Sequence, residues 1–416
     1  MRDLKAMRRK RNLISIENLA FKALRAEAFL LALSPGAATI AMLIGFVLWL
    51  ICWKMDDDVH FRHLPFDKPL LAFVVIAGLS VLVSPDRGFS FYNYYNLVGA
   101  YSITYILAGQ TVRSEERLRG ILEAFAVSAA IVVLYGFYQF IFGIDISSMK
   151  WVDGEAFPEL RKRVFSTWEN PNILAGYLNE VICMVFAFFV FINDKKARII
   201  AGVSMVCLAA CLAMTYARGA CLAIVAVIGL YGLVKDRRIV AGLAAFGLLM
   251  LMADPVLAER LSSVFTKVDT SSEMRLALWE SSVDMICDHP FLGIGWGAYW
   301  MVYPEYDFYI NDAAVKIVHA HNMYLNYAVE TGVFGALAFL WYFFGTMVQA
   351  FMKGPEEGEQ SVMVRAFRLG LGLALMSVAL GGITDDVLFN IPTSMLLWML
   401  CALGAAAREM TSENPS

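Results

Sequence analysis

The chain has 416 residues, 59% of them hydrophobic and only 17% charged, with a net charge of −3. Soluble proteins of this size carry about 25% charge, and the mean hydropathy here is +0.61. The composition excludes an ordinary soluble domain, and no nucleic-acid partner is expected. The apolar residues fall in runs of about 17–25, the length that crosses a bilayer. The expected fold class is therefore an all-α polytopic membrane protein, one integral membrane domain over 1–416.

The N-terminal "MRDLKAMRRKRNLI" is basic, and no small-residue cleavage site follows a compact apolar run. Residues 13–33 carry Glu17, Lys22, Arg25 and Glu27. This segment reads as an extra crossing with Ser34–Gly36 as its turn, or else as an amphipathic surface helix. Clear spans follow at 37–53, 68–84, 93–109, 120–141, 172–192, 199–216, 219–234, 239–253, 322–349 and 368–384. A shorter run, 393–407, is equally apolar. The short basic segments 113–119, 194–198, 235–238 and Lys353–Arg368 should face the cytoplasm. Threading helices between them gives about 12 transmembrane helices with both termini cytoplasmic. It places 142–171, 215–219, 254–320 and 385–392 outside.

The segment 254–320 is the long periplasmic loop of this scheme, with ten Asp/Glu against four Lys/Arg. Long loops without structure are uncommon unless functional. Within it, 272–287 reads as a short helix with Ser271 or Ser272 as its cap. Leu276, Trp279, Val283 and Ile286 form an apolar stripe for the membrane or the bundle. "HPFLGIGWGAYW" (289–300) then breaks the helix at Pro290 and turns through Gly293, Gly295 and Gly297. Six of the seven cysteines lie in or beside apolar runs as small hydrophobes, and Cys287 stands alone in the loop.

Chemistry-bearing residues gather on the expected outer side. Arg218 sits between two apolar runs, either as a snorkelling interfacial arginine or as an anion-binding one. Arg275 follows a helix start and is either a solvated loop arginine, free or salt-bridged to Glu273 or another acid, or suited to bidentate phosphate contact. His321 precedes Asn322 at a helix entrance, where it could cap, pack or accept a proton. His319 could add a metal ligand, but no carboxylate or cysteine completes a recognisable site. Arg163, Asn170, Asn172 and Asn179 crowd a second helix entrance, with Pro171 in its first turn and Trp168 at the interface. Asp385 and Asp386 could orient an arginine or histidine, or be solvated.

Five ordered segments, "RVFSTWENPNILAGYL" (163–178), "TYARGACLA" (215–223), "EMRLALW" (273–279), "HPFLGIGWGAY" (289–299) and "HAHNMYLNYAVETGVFG" (319–335), resemble the O-antigen ligase / O-antigen polymerase superfamily. The resemblance spans about 163–407. It implies a GT-C type glycosyltransferase in the bacterial inner membrane with a periplasmic active site. The donor would be a glycan on undecaprenyl pyrophosphate, held among membrane lipids. In a ligase the acceptor is the lipid A-core. The implied reaction is inverting, with no metal and no cofactor. Carried onto this chain, Arg218 and Arg275 would bind pyrophosphate and His321 would be the base. Arg163, Asn172, His319, Asn322, Asp385 and Asp386 would support them. Relatives often place a glycine near Ser166, where this chain reads Phe-Ser-Thr-Trp. A ligase is favoured by the His-Asn element and the single dominant loop. An O-antigen polymerase and a protein O-oligosaccharyltransferase are the alternatives, and a lipid-linked glycan transporter is the remoter one.

Overall fold

The computed structural model describes residues 2–55, 60–143, 163–253, 258, 270–307, 317–352 and 360–410. Parts of the expected loops (144–162, most of 254–269, 308–316 and 353–359) lie outside these residues, and so do the Ser271 and Ser272 side chains proposed as caps. The described residues form helices joined by turns and loops, with no strand among them. Eight helices among them are long and apolar enough to cross a membrane. The chain is a multi-pass membrane protein.

The N-terminal helices form an antiparallel hairpin. Helix α1 (Arg2–Leu30) turns at 31–34 into α2 (Pro35–Met55). Gly45 of α2 packs on Ala20 and Ala23 of α1, and the Cys52 thiol donates to the Leu13 carbonyl. Helix α1 therefore lies alongside a spanning helix over its length. Its charges have partners. Glu17 pairs with Arg117 at 2.7 Å and Arg25 with Glu123 at 3.4 Å. The buried Glu27 accepts a hydrogen bond from the Thr104 hydroxyl at 2.6 Å. Pairing is what makes ionisable groups at membrane depth tolerable.

Three expected spans are not among the eight. Helix α3 (Asp67–Ser80) has only 14 residues before it tightens into a 3₁₀ turn. The run 93–109 is broken into α4 (Arg87–Tyr94), a π turn at Tyr95–Gly99 and α5 (Ser102–Thr111). There the Tyr94 hydroxyl donates to the Val74 carbonyl, tying the break to α3. Helix α10 (Arg237–Ala253) has 17 described residues. The other runs appear within a few residues of their expected bounds: α6 (Glu115–Phe142), α7 (Pro171–Phe191), α8 (Lys195–Ala213) and α9 (Arg218–Lys235). The loop helix α11 (Thr270–Asp288) and a short α12 (Tyr299–Val302) precede α13 (Met323–Phe351), α14 (Val362–Gly381) and α15 (Ile391–Arg408).

The bundle has two chemically distinct ends. At one, Arg62, Arg113, Arg117 and Arg368 bond to one another's loops and to the last turn of α15. At the other, the 163–168 loop bonds to the end of α8 and to the α1–α2 turn, and Met323 bonds to Gly382. The cations described at this second end are arginines: Arg87, Arg163, Arg218 and Arg275.

One expectation is narrowed here and one is corrected. The stripe of α11 is divided: Leu276 and Val283 are about half exposed and Trp279 and Ile286 partly buried, while the most buried face is Leu278, Ser281, Ser282 and Met285. The buried face is set by Tyr299, whose hydroxyl meets Ser282 at 2.9 Å. Trp168 is not interfacial. It is buried against Tyr177, with ring centroids 4.6 Å apart.

One long helix is interrupted. Helix α13 breaks at Gly332, where φ is 71°. The "HPFLGIG" turn docks into the break: the Ile294 amide donates to the Val329 carbonyl and the Val333 amide to the Pro290 carbonyl, both at 2.9 Å. A Cβ on Gly293 would collide with the Val329 carbonyl, and one on Gly332 with the Phe291 carbonyl. The loop thus satisfies backbone groups that the broken helix releases.

Candidate active site

Four loops converge at the arginine-bearing end. The first is 163–170, entering α7. Asn170 caps α7 by accepting from the Asn172 amide at 2.8 Å, and Pro171 occupies the first turn. Gln139, on α6, pins this loop: its Oε1 accepts from the Ser166 amide at 2.7 Å and its Nε2 donates to the Ser166 carbonyl. The second loop is 214–217, ahead of Arg218 at the start of α9. The third is 319–322, ahead of α13, which Asn322 caps by accepting from the Leu325 amide. The fourth is 382–390, between α14 and α15.

Asp385 is the hub. Its Oδ1 lies 3.3 Å from His321 Nδ1 and 3.5 Å from His319 Nε2. Oδ1 also accepts the Asp386 amide at 2.9 Å, and Oδ2 accepts from Asn172 Nδ2 at 3.2 Å. Asn172 in turn accepts from Arg163 Nη2 at 2.6 Å, and Arg163 Nε donates to the Thr215 carbonyl at 2.7 Å. Asn322 Nδ2 donates to the Ile383 carbonyl at 3.0 Å. The first turn of α9 abuts the same loop, since a Cβ on Gly219 would touch the Thr384 hydroxyl. Arg275, half-buried on α11, is near enough for its charge to act on His319.

The electrostatics follow from burial and pairing. Burial opposes the Asp385 charge, but hydrogen bonds from His319 and His321 outweigh it and hold the carboxyl well below its usual range. Burial pushes the His319 imidazole down, so it is neutral at pH 7. Burial, with the Asp385 charge beside it, raises Asp386 to about 7. An ionised Asp385 accepts only from N–H. A neutral His321 therefore carries its proton on Nδ1 and leaves Nε2 as a base.

The backbone here is strained. Ser166, Glu169, Tyr216 and His321 hold φ between 48° and 58°, and no other non-glycine among the described residues is left-handed. Each such position costs about 1–3 kcal/mol and persists only where its surroundings impose it. Ser166 takes a conformation that glycine takes without cost.

The sequence offered no third group to join His319 and His321. The fold supplies one: His319, His321 and Asp385 bring ligand atoms within 4.8 Å of one another, a set that could also hold a metal ion. Two residues escaped the sequence reading. Asn326 accepts from the Ala320 amide at 3.2 Å, and it lines a cavity together with Asp386 and the buried Glu330. The signal was present, since Asn322, Asn326 and Glu330 recur every four residues along an apolar helix.

The comparisons bear on this end of the molecule. Residues 203–340 match a family model described as O-antigen ligase. The resemblance read from the ordered motifs is shown over that segment, and it supports the O-antigen ligase/polymerase superfamily. A search of curated proteins finds no match. The matched segment holds Arg218, Arg275, His319, His321 and Asn322, while Arg163, Asn172, Asp385 and Asp386 reach the site from outside it. A match to this family supports an enzymatic role in a multi-pass membrane protein.

Proposed function

We propose that the chain is an O-antigen ligase that transfers a glycan from undecaprenyl pyrophosphate to the lipid A-core acceptor. The observation that carries this reading is the Asp385 hub, which joins a basic histidine to the loop beside Arg218. His321 Nε2 takes the proton of the acceptor hydroxyl, and the oxygen attacks the anomeric carbon. The bond from that carbon to the pyrophosphate oxygen breaks, and the pyrophosphate leaves with the electron pair. Attack opposite the leaving group inverts the anomeric centre. Arg218 and Arg275 neutralise the departing charge, a task for which guanidinium forks are suited. With arginines in that role the reaction requires no metal or cofactor.

The placement reads as a GT-C architecture in the bacterial inner membrane. Helix α1 alongside α2, and the short legs α3, α4–α5 and α10, bring the crossings to twelve, with both termini cytoplasmic. The end bearing Arg62, Arg113, Arg117 and Arg368 would face the cytoplasm and the end bearing the Asp385 hub the periplasm. The reacting bond then lies where hydrocarbon meets water, as a lipid-linked donor demands.

Purified protein, a lipid-linked glycan and three acceptors test the reading. Product should form on lipid A-core, and not on a growing glycan or a serine/threonine peptide. Product on the growing glycan alone would make the chain a polymerase. Transfer should persist in EDTA, whereas loss restored by added metal would make His319, His321 and Asp385 metal ligands.

A further inference from the structure

The loop 383–390 is a wall with two faces. On one face lie Asp385, Asn172 and Arg163. On the other, Asp386 and His319 line a cavity of about 450 Å³, within the ~300–1,000 Å³ typical of small-molecule sites. The α1–α2 turn, α4, the 167–169 loop, the 296–300 turn and the start of α15 close it.

The lining is chemically selective. Among the described residues it includes no lysine or arginine, and it carries three carboxyl groups, Glu169, Glu330 and Asp386. No described cation there would hold a pyrophosphate, and a lipid tail would strand buried polar groups. Aromatic faces are abundant: Tyr92, which is 66% exposed, with Trp168, Trp296 and Trp300. Several buried polar atoms of the lining are orphaned in the protein. Trp168 Nε1, Trp296 Nε1 and Asn390 Oδ1 have no hydrogen-bond partner there, nor does His319 Nδ1. Buried polar groups are rarely left unpaired, and a cluster around one cavity calls for an occupant. That occupant must be neutral, must accept from indole N–H and donate to an amide oxygen, and must offer apolar C–H faces for aromatic rings.

We infer that this cavity is a saccharide-binding subsite that holds a pyranose ring of one of the two substrates, on the far side of the His319–Asp385–Asp386 wall from the pyrophosphate. The inference rests on the transferase reading above. The ring belongs to the acceptor sugar or to the donor glycan. In either case its hydroxyls pair with Trp168, Trp296 and Asn390.

The test uses the full-length protein in detergent. The probes are delipidated lipid A-core oligosaccharide and, separately, the donor glycan freed of its lipid pyrophosphate, each followed by saturation-transfer NMR. One of the two should bind to the wild type. Trp296→Phe keeps the ring and removes the N–H, and Asn390→Ala removes the acceptor. Each should weaken binding of that saccharide about tenfold. In transfer assays the same variants should raise KM for the same substrate and leave binding of inorganic pyrophosphate unchanged. Core oligosaccharide binding identifies the acceptor arm, and free-glycan binding the donor arm. Binding of neither saccharide, or equal binding by both folded variants, overturns the inference. So does occupancy by a polyamine or divalent cation in place of sugar. Saccharide binding retained in a protein that transfers to no acceptor would sink the proposed function and leave this site standing.

Discussion

At Asp385 one carboxylate serves His321, His319 and Asn172 together. Replacing it with asparagine removes the charge that fixes the His321 tautomer. Asp385→Asn should lower kcat by about 10²-fold or more and leave donor KM unchanged. Because the two residues act as one unit, adding Asp385→Asn to His321→Ala should cost little further. Additive losses in that double-mutant cycle would separate them. Asp386 makes a different prediction. Its folded-state value of about 7 lies above the ordinary carboxylate value, so its ionisation opposes folding. That penalty grows as pH rises through the window up to about 7 and is relieved on acidification. Lowering the pH from 8 to 6.5 should stabilise the wild type by roughly 1 kcal/mol relative to Asp386→Asn, measured by thermal unfolding in detergent. The buried neutral His319 also begins to destabilise as pH falls toward 6.5, but it does so in both proteins, so the difference between them reports Asp386. An identical pH response in both proteins would deny Asp386 its buried environment.

Among the elements, the spans were legible because apolar length and caps are local. Helices α7 and α9 begin at Pro171 and Arg218, each one residue from the expected start. The break in α13 was not legible. Gly332 reads as one more small residue in an apolar run until the 290–294 turn is set against it. Likewise the face of α11 depended on Tyr299, 17 residues from Ser282. The break gives a stability test. Gly332→Ala and Gly293→Ala each force a side chain into positive φ and into a facing carbonyl. Each should destabilise by at least about 1–3 kcal/mol, seen as a lower Tm in detergent. The same change at Gly242, where a Cβ meets nothing within 4 Å, should be tolerated. Equal Tm values for all three would mean that the loop does not seat in the helix.

On the scale of the whole molecule, charge segregation was readable because basic loops are local features, and the site residues were named from ordered motifs. What stayed hidden was their wiring. Asp385 meets His321 across 64 residues and Asn172 across 213, separations that only the packed bundle closes. Sidedness has a native reporter in Cys287, the one exposed cysteine among the described residues. A membrane-impermeant maleimide should label Cys287 from the periplasmic face of intact spheroplasts. Asp236→Cys in a Cys287→Ser background should label only after permeabilisation, and the reverse pattern would invert the topology. The central claim is that His321 is the base acting on a lipid-pyrophosphate glycan. Its most direct test is single-turnover transfer by His321→Ala, with donor binding measured on the same preparation. The account predicts donor affinity near wild type and a transfer rate lower by about 10²–10⁴-fold. A variant that binds donor and transfers at the wild-type rate would contradict it.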